Sequence, residues 1–368
     1  MGQPIKNTKE ELKVSQIAEN IIGSEIIKLA GEVNEKIKSG EKIFNLTIGD
    51  FNPKVFPIPA ELKQYIVESY SDDQTNYPAA DGMMELRTAV SNLLRERLGL
   101  EYASDEIVIA GGARPIIYAI YRAVVDPGDN IIFPVPSWNN NHYTYLCNAN
   151  PVLLEVGPEN NFMPSASDIA PHIQNASMVS LCSPQNPTGT VFTKKALEDI
   201  CDLILEENQR RGEGAKPVYL LYDQIYWALT YGEVQHFNPV SLRPEMKNYT
   251  LFVDGISKSL AATGVRVGWT MAPKKIADKI KAILSHVGAW APKAEQMATA
   301  KYLINLNNYD SFLIEQKSKI LKRLKGFYDG FMKLKSDGFS VDAIPPQAAI
   351  YLTIQLALHG KKRKMEKF

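Results

Sequence analysis

Two cations lie close together in the sequence, just after an apolar run. Lys258 follows the apolar residues 249–253, and Arg266 comes eight residues after it. A lysine on the turn after a buried strand is partly desolvated, and desolvation disfavours the ammonium form, so the neutral amine becomes accessible near neutral pH. Such an amine forms Schiff bases with carbonyl compounds, and the nearby guanidinium is suited to a phosphate. The alternative is a solvated lysine after a strand, which is the commoner environment of this residue.

Residues with complementary chemistry follow three other apolar runs. Asn186 stands in a proline-rich turn and offers both a hydrogen-bond donor and an acceptor, although the segment is also an ordinary turn sequence. Asp223, followed by Tyr226, ends a run where a carboxylate is costly unless a cation such as a protonated pyridine nitrogen pairs with it. Gly112 and Ala113 precede a predicted helix, and backbone amides at a helix N-terminus bind anions. Alone, each of these features is weak.

The elements that must position these residues alternate in type. Short apolar runs separated by longer amphipathic stretches predict an α/β fold, a three-layer sandwich with a mostly parallel sheet. Ligands bind such sheets at the carboxyl ends of the strands, which is where all the residues above lie. Trp138 also follows a strand, and its face is suited to stacking on an aromatic ligand, although an isolated tryptophan is more often core. The six predicted strands are 106–110, 130–134, 151–156, 177–182, 218–222 and 249–253.

The segments on either side of this alternating region have mainly helical patterns. Helices are predicted at 115–125 and 194–207 within the alternating region, and helical sequence also fills 23–39 and 294–334. We predict a large ligand-binding domain over residues 49–296 and a smaller α/β domain formed by 1–48 and 297–368.

Composition excludes several classes of partner. The 368 residues contain 41 Lys plus Arg and 41 Asp plus Glu, so no overall field favours nucleic acid or a membrane surface. The three cysteines, Cys147, Cys182 and Cys201, lack metal-ligand spacing, and we predict free thiols and no metal site. The first residues have no signal-peptide core, and no run is long enough to span a membrane. We therefore expect a cytoplasmic protein.

Taken together, these residues resemble the class I/II aminotransferases of fold type I, the superfamily of aspartate and aromatic aminotransferases that use pyridoxal 5'-phosphate (PLP). The resemblance extends over residues 44–358. Its motifs occur in the family's order: Tyr-Pro-x-x-x-Gly-x-x-x-Leu-Arg at Tyr77, the Gly-Gly turn, Asp-Pro-Gly-Asp, Asn-Pro-Thr-Gly, Asp-x-x-Tyr, then Ser-Lys with Arg eight later.

The resemblance implies a role for each of these residues. Lys258 would form the internal aldimine with PLP and then act as the base that moves the substrate's α proton. Asp223 would pair with the pyridinium nitrogen, and Asn186 and Tyr226 would hydrogen-bond the ring's phenolic oxygen. Trp138 would stack on the ring. By this pattern the catalytic residues are Lys258, Asp223 and Tyr226.

The family pattern also implies ligands for the phosphate and the substrate. The phosphate would be held by Gly112, Ala113, Arg266 and Ser257, with Tyr77 reaching in from a neighbouring subunit, which implies a homodimer with shared active sites. Gly49 resembles the glycine whose backbone lies near the substrate carboxylate. Gly49, Trp138 and Asn186 are the predicted substrate-binding residues.

Two departures from the family pattern affect the expected ligands. Many relatives carry a serine at the position of Gly255, so one hydroxyl for the phosphate is absent. Residues 345–353 resemble the strand that opens the family's last small-domain segment, which in relatives continues to an arginine that binds the substrate α-carboxylate. The last arginine here, Arg363, lies in a basic tail and does not match that motif. We expect the C-terminal part of the small domain to be missing.

The reaction that the resemblance implies is transfer of an amino group between an L-amino acid and a 2-oxo acid by a ping-pong mechanism. Two alternatives remain: a PLP-dependent lyase or decarboxylase on the same scaffold, and a truncated PLP-binding protein with little activity. Aspartate, aromatic and branched substrates all remain open. The absence of arginine from residues 285–296 disfavours strict specificity for aspartate.

Overall fold

The computed structural model describes residues 13–23, 25–358 and 360. The chain divides into two compact units, Met1–Ile48 and Gly49–Phe368. In the described part of the first unit, the helices are α1 (Gln16–Asn20) and α2 (Glu25–Lys38). The grouping of residues 1–48 with 297–368 in one small domain stays a prediction, and Arg363 lies outside the described residues.

The second unit is built on a seven-stranded sheet. The strand order is β1-β7-β6-β5-β4-β2-β3, and β7 alone runs antiparallel to its neighbours. All six predicted strands are present, whereas the short β7 was not predicted. The strands are β1 (Ile107–Ala110), β2 (Asn130–Val135), β3 (Asn150–Glu155), β4 (Ala176–Cys182), β5 (Tyr219–Asp223), β6 (Thr250–Gly255) and β7 (Gly268–Met271).

Helices surround this sheet, and a small two-stranded sheet follows them. The α-helices of the described second unit are α3 (Ala60–Ser71), α4 (Met84–Leu98), α5 (Ala113–Val124), α6 (Asn140–Leu146), α7 (Ala166–Ile173), α8 (Lys194–Arg211), α9 (Pro239–Leu242), α10 (Ile256–Ser259), α11 (Lys274–Val287), α12 (Lys293–Leu303) and α13 (Leu306–Ser336). Three short 3₁₀ turns lie at Ser104–Glu106, Pro158–Asn160 and Pro244–Asn248. The second sheet pairs β8 (Val341–Ala343) with β9 (Ile354–Leu356). No helix among the described residues combines the length and the apolar character needed to cross a bilayer.

Both faces of the large sheet are buried, as its apolar strands require. Along β1, Val108 and Ala110 pack in one core cluster together with buried residues of α5 and α11. Ile107 and Ile109 alternate with them and pack in a second cluster with residues of α4, α8, α12 and α13. Because successive side chains of a strand point to opposite faces, this alternation gives three layers of helix, sheet and helix. The predicted three-layer α/β fold is confirmed.

Two sequence-based expectations need correction. The helical stretch 294–334 is broken between α12 and α13, because Asn305 caps α13 with its side chain, accepting from the amides of Asn307 and Asn308. Residues 345–353 do not form the expected strand. Pro345 and Pro346 carry no backbone N–H, and the segment holds only an isolated bridge from Ala348 to Thr230.

Candidate active site

Lys258 lies on the single turn α10, directly after β6. Its Nζ donates a hydrogen bond of 2.5 Å to the carbonyl oxygen of Gly49 and lies 5.6 Å from the centre of the Tyr226 ring. The carbonyl oxygen of Lys258 accepts from Nε2 of Gln316 on α13 at 3.0 Å, which ties the turn to that helix. The amine is half-buried and held within the site.

The surroundings of Lys258 lower the pKa of its amine. Burial lowers the pKa of the amine to about 8, and the positive charges of Arg114 and Arg266 act in the same direction. The carboxylates of Asp50 and Asp223 oppose this shift without cancelling it. About one amine in ten is therefore neutral at pH 7, which is the form that reacts with a carbonyl.

Asp223 is the last residue of β5, the strand beside β6. One of its carboxylate oxygens accepts from the amide of Ile225 at 3.0 Å. Burial raises the pKa of Asp223 to about 6, although the Ile225 amide and the charge of Lys258 lower it. A buried carboxylate that is still ionised at neutral pH is suited to pairing with a protonated ring nitrogen.

Tyr226 follows Asp223 and is fully buried. Its hydroxyl lies 2.5 Å from the hydroxyl of Tyr351, and the two rings pack edge to face with centres 5.6 Å apart. Burial, and then Tyr351, raise the pKa of Tyr226 well above its usual value, so the hydroxyl keeps its proton. Asn186 is half-buried in the turn after β4, and within the described residues its side-chain amide has no hydrogen-bond partner. Both groups are available to a ligand.

The first turn of α5 and two guanidinium groups form a positive cluster. Gly112 precedes the helix at φ 97°, a conformation that favours glycine, and a Cβ there would collide with the guanidinium of Arg266. Arg266 donates to the carbonyl oxygens of Gly111 at 2.8 Å and Thr263 at 2.7 Å. Burial and the neighbouring charge of Arg114 lower the pKa of Arg266. The cluster is therefore electrostatically unfavourable without an anion.

The connection between β6 and β7 carries both Lys258 and Arg266. Gly255 at its start is paired with Gly268 at its end across the antiparallel strands, so the two ends of the connection are adjacent. A Cβ at Gly255 would lie 2.8 Å from Cα of Gly268 and 2.8 Å from the carbonyl oxygen of Val267. A serine does not fit at this position. Ser257 is buried on α10 beside Lys258.

The other predicted residues are placed as follows. Trp138 is half-buried after β2, and the guanidinium carbon of Arg114 lies 5.4 Å from the centre of its ring. Tyr77 is 82% exposed and packs edge to face on Trp290, with the ring centres 5.4 Å apart. The carbonyl of Gly49 faces Lys258, and a Cβ at Gly49 would collide with the Tyr351 hydroxyl. The ring of Tyr77 contacts Trp290, which is not among the predicted site residues.

The residues present fit PLP. Arg266, Arg114 and the N-terminus of α5 form no ion pair with a carboxylate in the part of the chain that is described, so a dianionic phosphate would neutralise them. The protonated ring nitrogen of PLP would be a cationic partner for Asp223. The neutral amine of Lys258 could react with the aldehyde of PLP.

Sequence reasoning missed three residues of this site. Tyr351, 125 positions after Tyr226, contacts its hydroxyl. Arg114 adds a positive charge beside Arg266, and its place in the first turn of α5 was the available signal. Asp50 raises the pKa of Lys258 and accepts from the hydroxyl of Thr263 at 2.6 Å.

Comparison with known proteins agrees with this geometry. Residues 41–368 match the sequence model of the family described as aminotransferase class I and II. The chain is 28% identical over 330 residues to an aspartate aminotransferase of Rhizobium meliloti (strain 1021), covering 89% of this chain and 76% of the relative. It is 27% identical over 357 residues to the bifunctional aspartate aminotransferase and glutamate/aspartate-prephenate aminotransferase of Petunia hybrida, covering 96% and 71%.

A solved structure extends the likeness to the fold. The aspartate aminotransferase from Rhizobium meliloti superimposes with a TM-score of 0.85 at 26% identity, covering 94% of this chain and 82% of that one. The relatives named here are aminotransferases, so the lyase and the poorly active alternatives are not favoured.

Proposed function

This chain belongs to the family of class I and II aminotransferases, and we propose that Lys258 carries the transamination. The protein is a PLP-dependent transaminase that moves an amino group between an amino acid and a 2-oxo acid. The observation that supports the assignment to Lys258 is its half-buried amine, which donates to the carbonyl of Gly49 and whose lowered pKa is influenced by the charges of Asp223, Arg114 and Arg266.

We propose that eight residues of this chain hold the cofactor. The amides of Gly112 and Ala113 and the guanidinium of Arg266 bind the phosphate, with Ser257 beside them. Asp223 holds a proton on the ring nitrogen, and Tyr226 and Asn186 donate to the ring's phenolic oxygen. Trp138 covers one face of the ring. When bound, PLP supplies an aromatic ring that takes up the electron pair released at the substrate's α carbon.

Lys258 has the further role of moving a proton. The free amine of Lys258 would accept the proton that leaves the substrate's α carbon, and the resulting ammonium would donate a proton back as the amino group is transferred. A lowered pKa suits this task, because the amine must be neutral to accept and cationic to donate within the same cycle. The carbonyl of Gly49 accepts from this amine, and we propose that the backbone of Gly49 borders the substrate carboxylate.

The substrate range is proposed from the relatives and from one segment of this chain. Both relatives have aspartate in their names, and the name of the Petunia hybrida relative also includes glutamate and prephenate. Residues 285–296 contain no arginine, and within them the ring of Trp290 packs against that of Tyr77. We propose that the enzyme accepts aspartate without being restricted to dicarboxylates, so aromatic amino acids also react.

We propose a homodimer in the cytoplasm. The exposure of Tyr77 supports a shared site, because a hydroxyl meant for a partner's phosphate must point away from its own chain. The three cysteines are free thiols, which suits a reducing compartment. Sedimentation equilibrium of the PLP-loaded protein tests the dimer, and a monomer at micromolar concentration would overturn it.

The experiment that tests transamination is a single half-reaction. PLP-loaded protein is mixed with L-aspartate, L-phenylalanine or L-leucine without any 2-oxo acid, and the product is identified by mass spectrometry. We expect one equivalent of the matching 2-oxo acid per site and no carbon dioxide or ammonia. Release of either gas, or no product from any amino acid, would contradict the proposal.

A further inference from the structure

Tyr351 lies beside Tyr226 in the site and belongs to the segment 345–353, in which no site residue was predicted. Its hydroxyl lies 2.5 Å from that of Tyr226 and against the backbone of Gly49. Burial raises the pKa of Tyr351, and that of Tyr226 also lies well above its usual value, so both hydroxyls stay protonated. The two hydroxyls form a neutral, partly buried hydrogen bond, and the amine of Lys258 lies 5.6 Å from the centre of the Tyr226 ring.

The segment that carries Tyr351 is fixed to both neighbouring strand ends. The amide of Ala348 donates to Gly189 at 3.0 Å, and the hydroxyl of Thr353 donates to the carbonyl of Thr188 at 2.9 Å, both in the turn that holds Asn186. On the other side, the amide of Ala349 donates to Leu229 at 2.8 Å, and the hydroxyl of Tyr231 donates to the Ala349 carbonyl. Tyr351 is therefore held in place from the β4 turn and from the β5 end together.

The number of hydrogens available indicates which of the two tyrosine hydroxyls donates to the other. A tyrosine hydroxyl has one hydrogen to donate and lone pairs to accept. If Tyr226 donated to Tyr351, it would have no hydrogen left for the phenolic oxygen of the cofactor. If Tyr351 donates, Tyr226 accepts and keeps its own hydrogen for that oxygen, and the two bonds strengthen one another.

We propose that Tyr351 is a positioning residue for the transamination: it donates to Tyr226 and thereby makes Tyr226 the donor to the cofactor's ring oxygen. This inference rests on the proposed function. The titratable groups that face the two hydroxyls are Cys182, Asp223 and Lys258. The thiol of Cys182 donates to the carbonyl of Pro184 at 3.2 Å, so it does not supply the same hydrogen bond to Tyr226.

The test follows the visible absorption of the PLP-loaded protein against pH. In Tyr351→Phe the ring oxygen's negative charge is less stabilised, so protonation of the bound cofactor persists to higher pH. We expect the midpoint to rise by roughly 0.3 to 1 pH unit, and PLP dissociation constants to rise about two- to tenfold. The midpoint shift should be smaller than that of Tyr226→Phe, and Tyr351→Phe should add nothing in the Tyr226→Phe background.

Tyr302→Phe is the matched control, because it removes the hydroxyl of a buried tyrosine on α12, which donates to the carbonyl of Asn308 and, among the described residues, bonds neither Tyr226 nor the segment 345–353. It should lower the melting temperature and leave the midpoint in place. An unchanged midpoint in Tyr351→Phe, or equal shifts with and without Tyr226, would overturn the role of Tyr351. If the wild-type protein shows no visible band with PLP at any pH, the proposed function itself is wrong and this inference falls with it.

Discussion

The amine of Lys258 is hydrogen-bonded at 2.5 Å to the carbonyl oxygen of Gly49, a residue 209 positions earlier in the chain. A charged amine with one backbone acceptor in a buried site is poorly solvated, and this is the physical basis of its lowered pKa. The bond also places the amine beside the backbone of Gly49, which we propose borders the substrate carboxylate. The first predictions follow from this arrangement.

Lys258 should react with electrophiles at lower pH than surface lysines. Its neutral fraction rises through a pKa of about 8, so dinitrophenylation of the unloaded protein should reach half its maximal rate near pH 8. Lys195 is an internal control, because the bond to Asp199 raises its pKa. Peptide mass spectrometry reports both sites. If the labelling of the two lysines has the same pH dependence, the pKa of Lys258 is not lowered.

Arg266→Lys should weaken PLP binding. An ammonium cannot reproduce the two bonds to Gly111 and Thr263 and also bind the phosphate, since it lacks the planar fork. We expect the dissociation constant to rise about tenfold or more, measured by equilibrium dialysis. Arg95→Lys, at an exposed site that bonds Asn92 and Glu96, should leave it unchanged. Equal affinity of both variants would argue against a phosphate at Arg266.

Asp223→Asn should slow the half-reaction more than it weakens binding. The amide cannot hold a proton on the ring nitrogen, so the ring accepts electrons less readily. A loss of about 10- to 100-fold in the single-turnover rate is expected by stopped-flow absorbance. The surface carboxylate Asp342, paired with Lys335, provides the control variant Asp342→Asn. A normal rate in Asp223→Asn would remove Asp223 from the mechanism.

Asp254 should make the protein less stable as pH rises. Its fully buried carboxylate accepts from Gly255 at 2.7 Å and Gln224 at 3.4 Å, and burial, more than these bonds, raises its pKa from 3.8 to about 8. Between these values the folded chain holds a proton that the unfolded chain releases, so the free energy of unfolding falls with pH. The slope from one such proton is at most about 1.4 kcal/mol per pH unit.

The variant Asp254→Asn lacks this contribution. Urea denaturation at pH 5 and pH 7.5 should therefore show a smaller loss of unfolding free energy in the variant than in wild type. Asp342→Asn should keep the wild-type slope, because the pKa of Asp342 is lowered and it is ionised at both pH values. Parallel slopes in Asp254→Asn and wild type would mean that Asp254 is ionised in the folded state.

Most of the large sheet could be predicted from sequence because five of its strands are short, mostly apolar runs that are buried on both faces: β1, β2, β4, β5 and β6. The edge strand β3 is largely exposed, and its apolar core Val152–Leu154 was enough to mark it. The β7 strand has only four residues, Gly-Trp-Thr-Met, so its apolar content is too short to stand out. Its antiparallel direction follows from the β6–β7 loop, which cannot be read from periodicity.

The site residues that follow strands could be predicted from the sequence, whereas those that lie in segments without a strand before them could not. Asp223 and Lys258 are marked by a polar group directly after an apolar run. Tyr351 carries no such mark, because its place depends on hydrogen bonds from Ala348, Ala349 and Thr353 to two distant turns. Packing, and not local sequence, brings it to Tyr226.

The most direct test of Lys258 as the carrier of the chemistry is borohydride reduction of the PLP-loaded protein, followed by peptide mapping. We predict one phosphopyridoxyl group per chain, on the peptide that contains Lys258, and none in Lys258→Ala. Labelling of a different lysine, or equal labelling of the Lys258→Ala variant, would contradict the account.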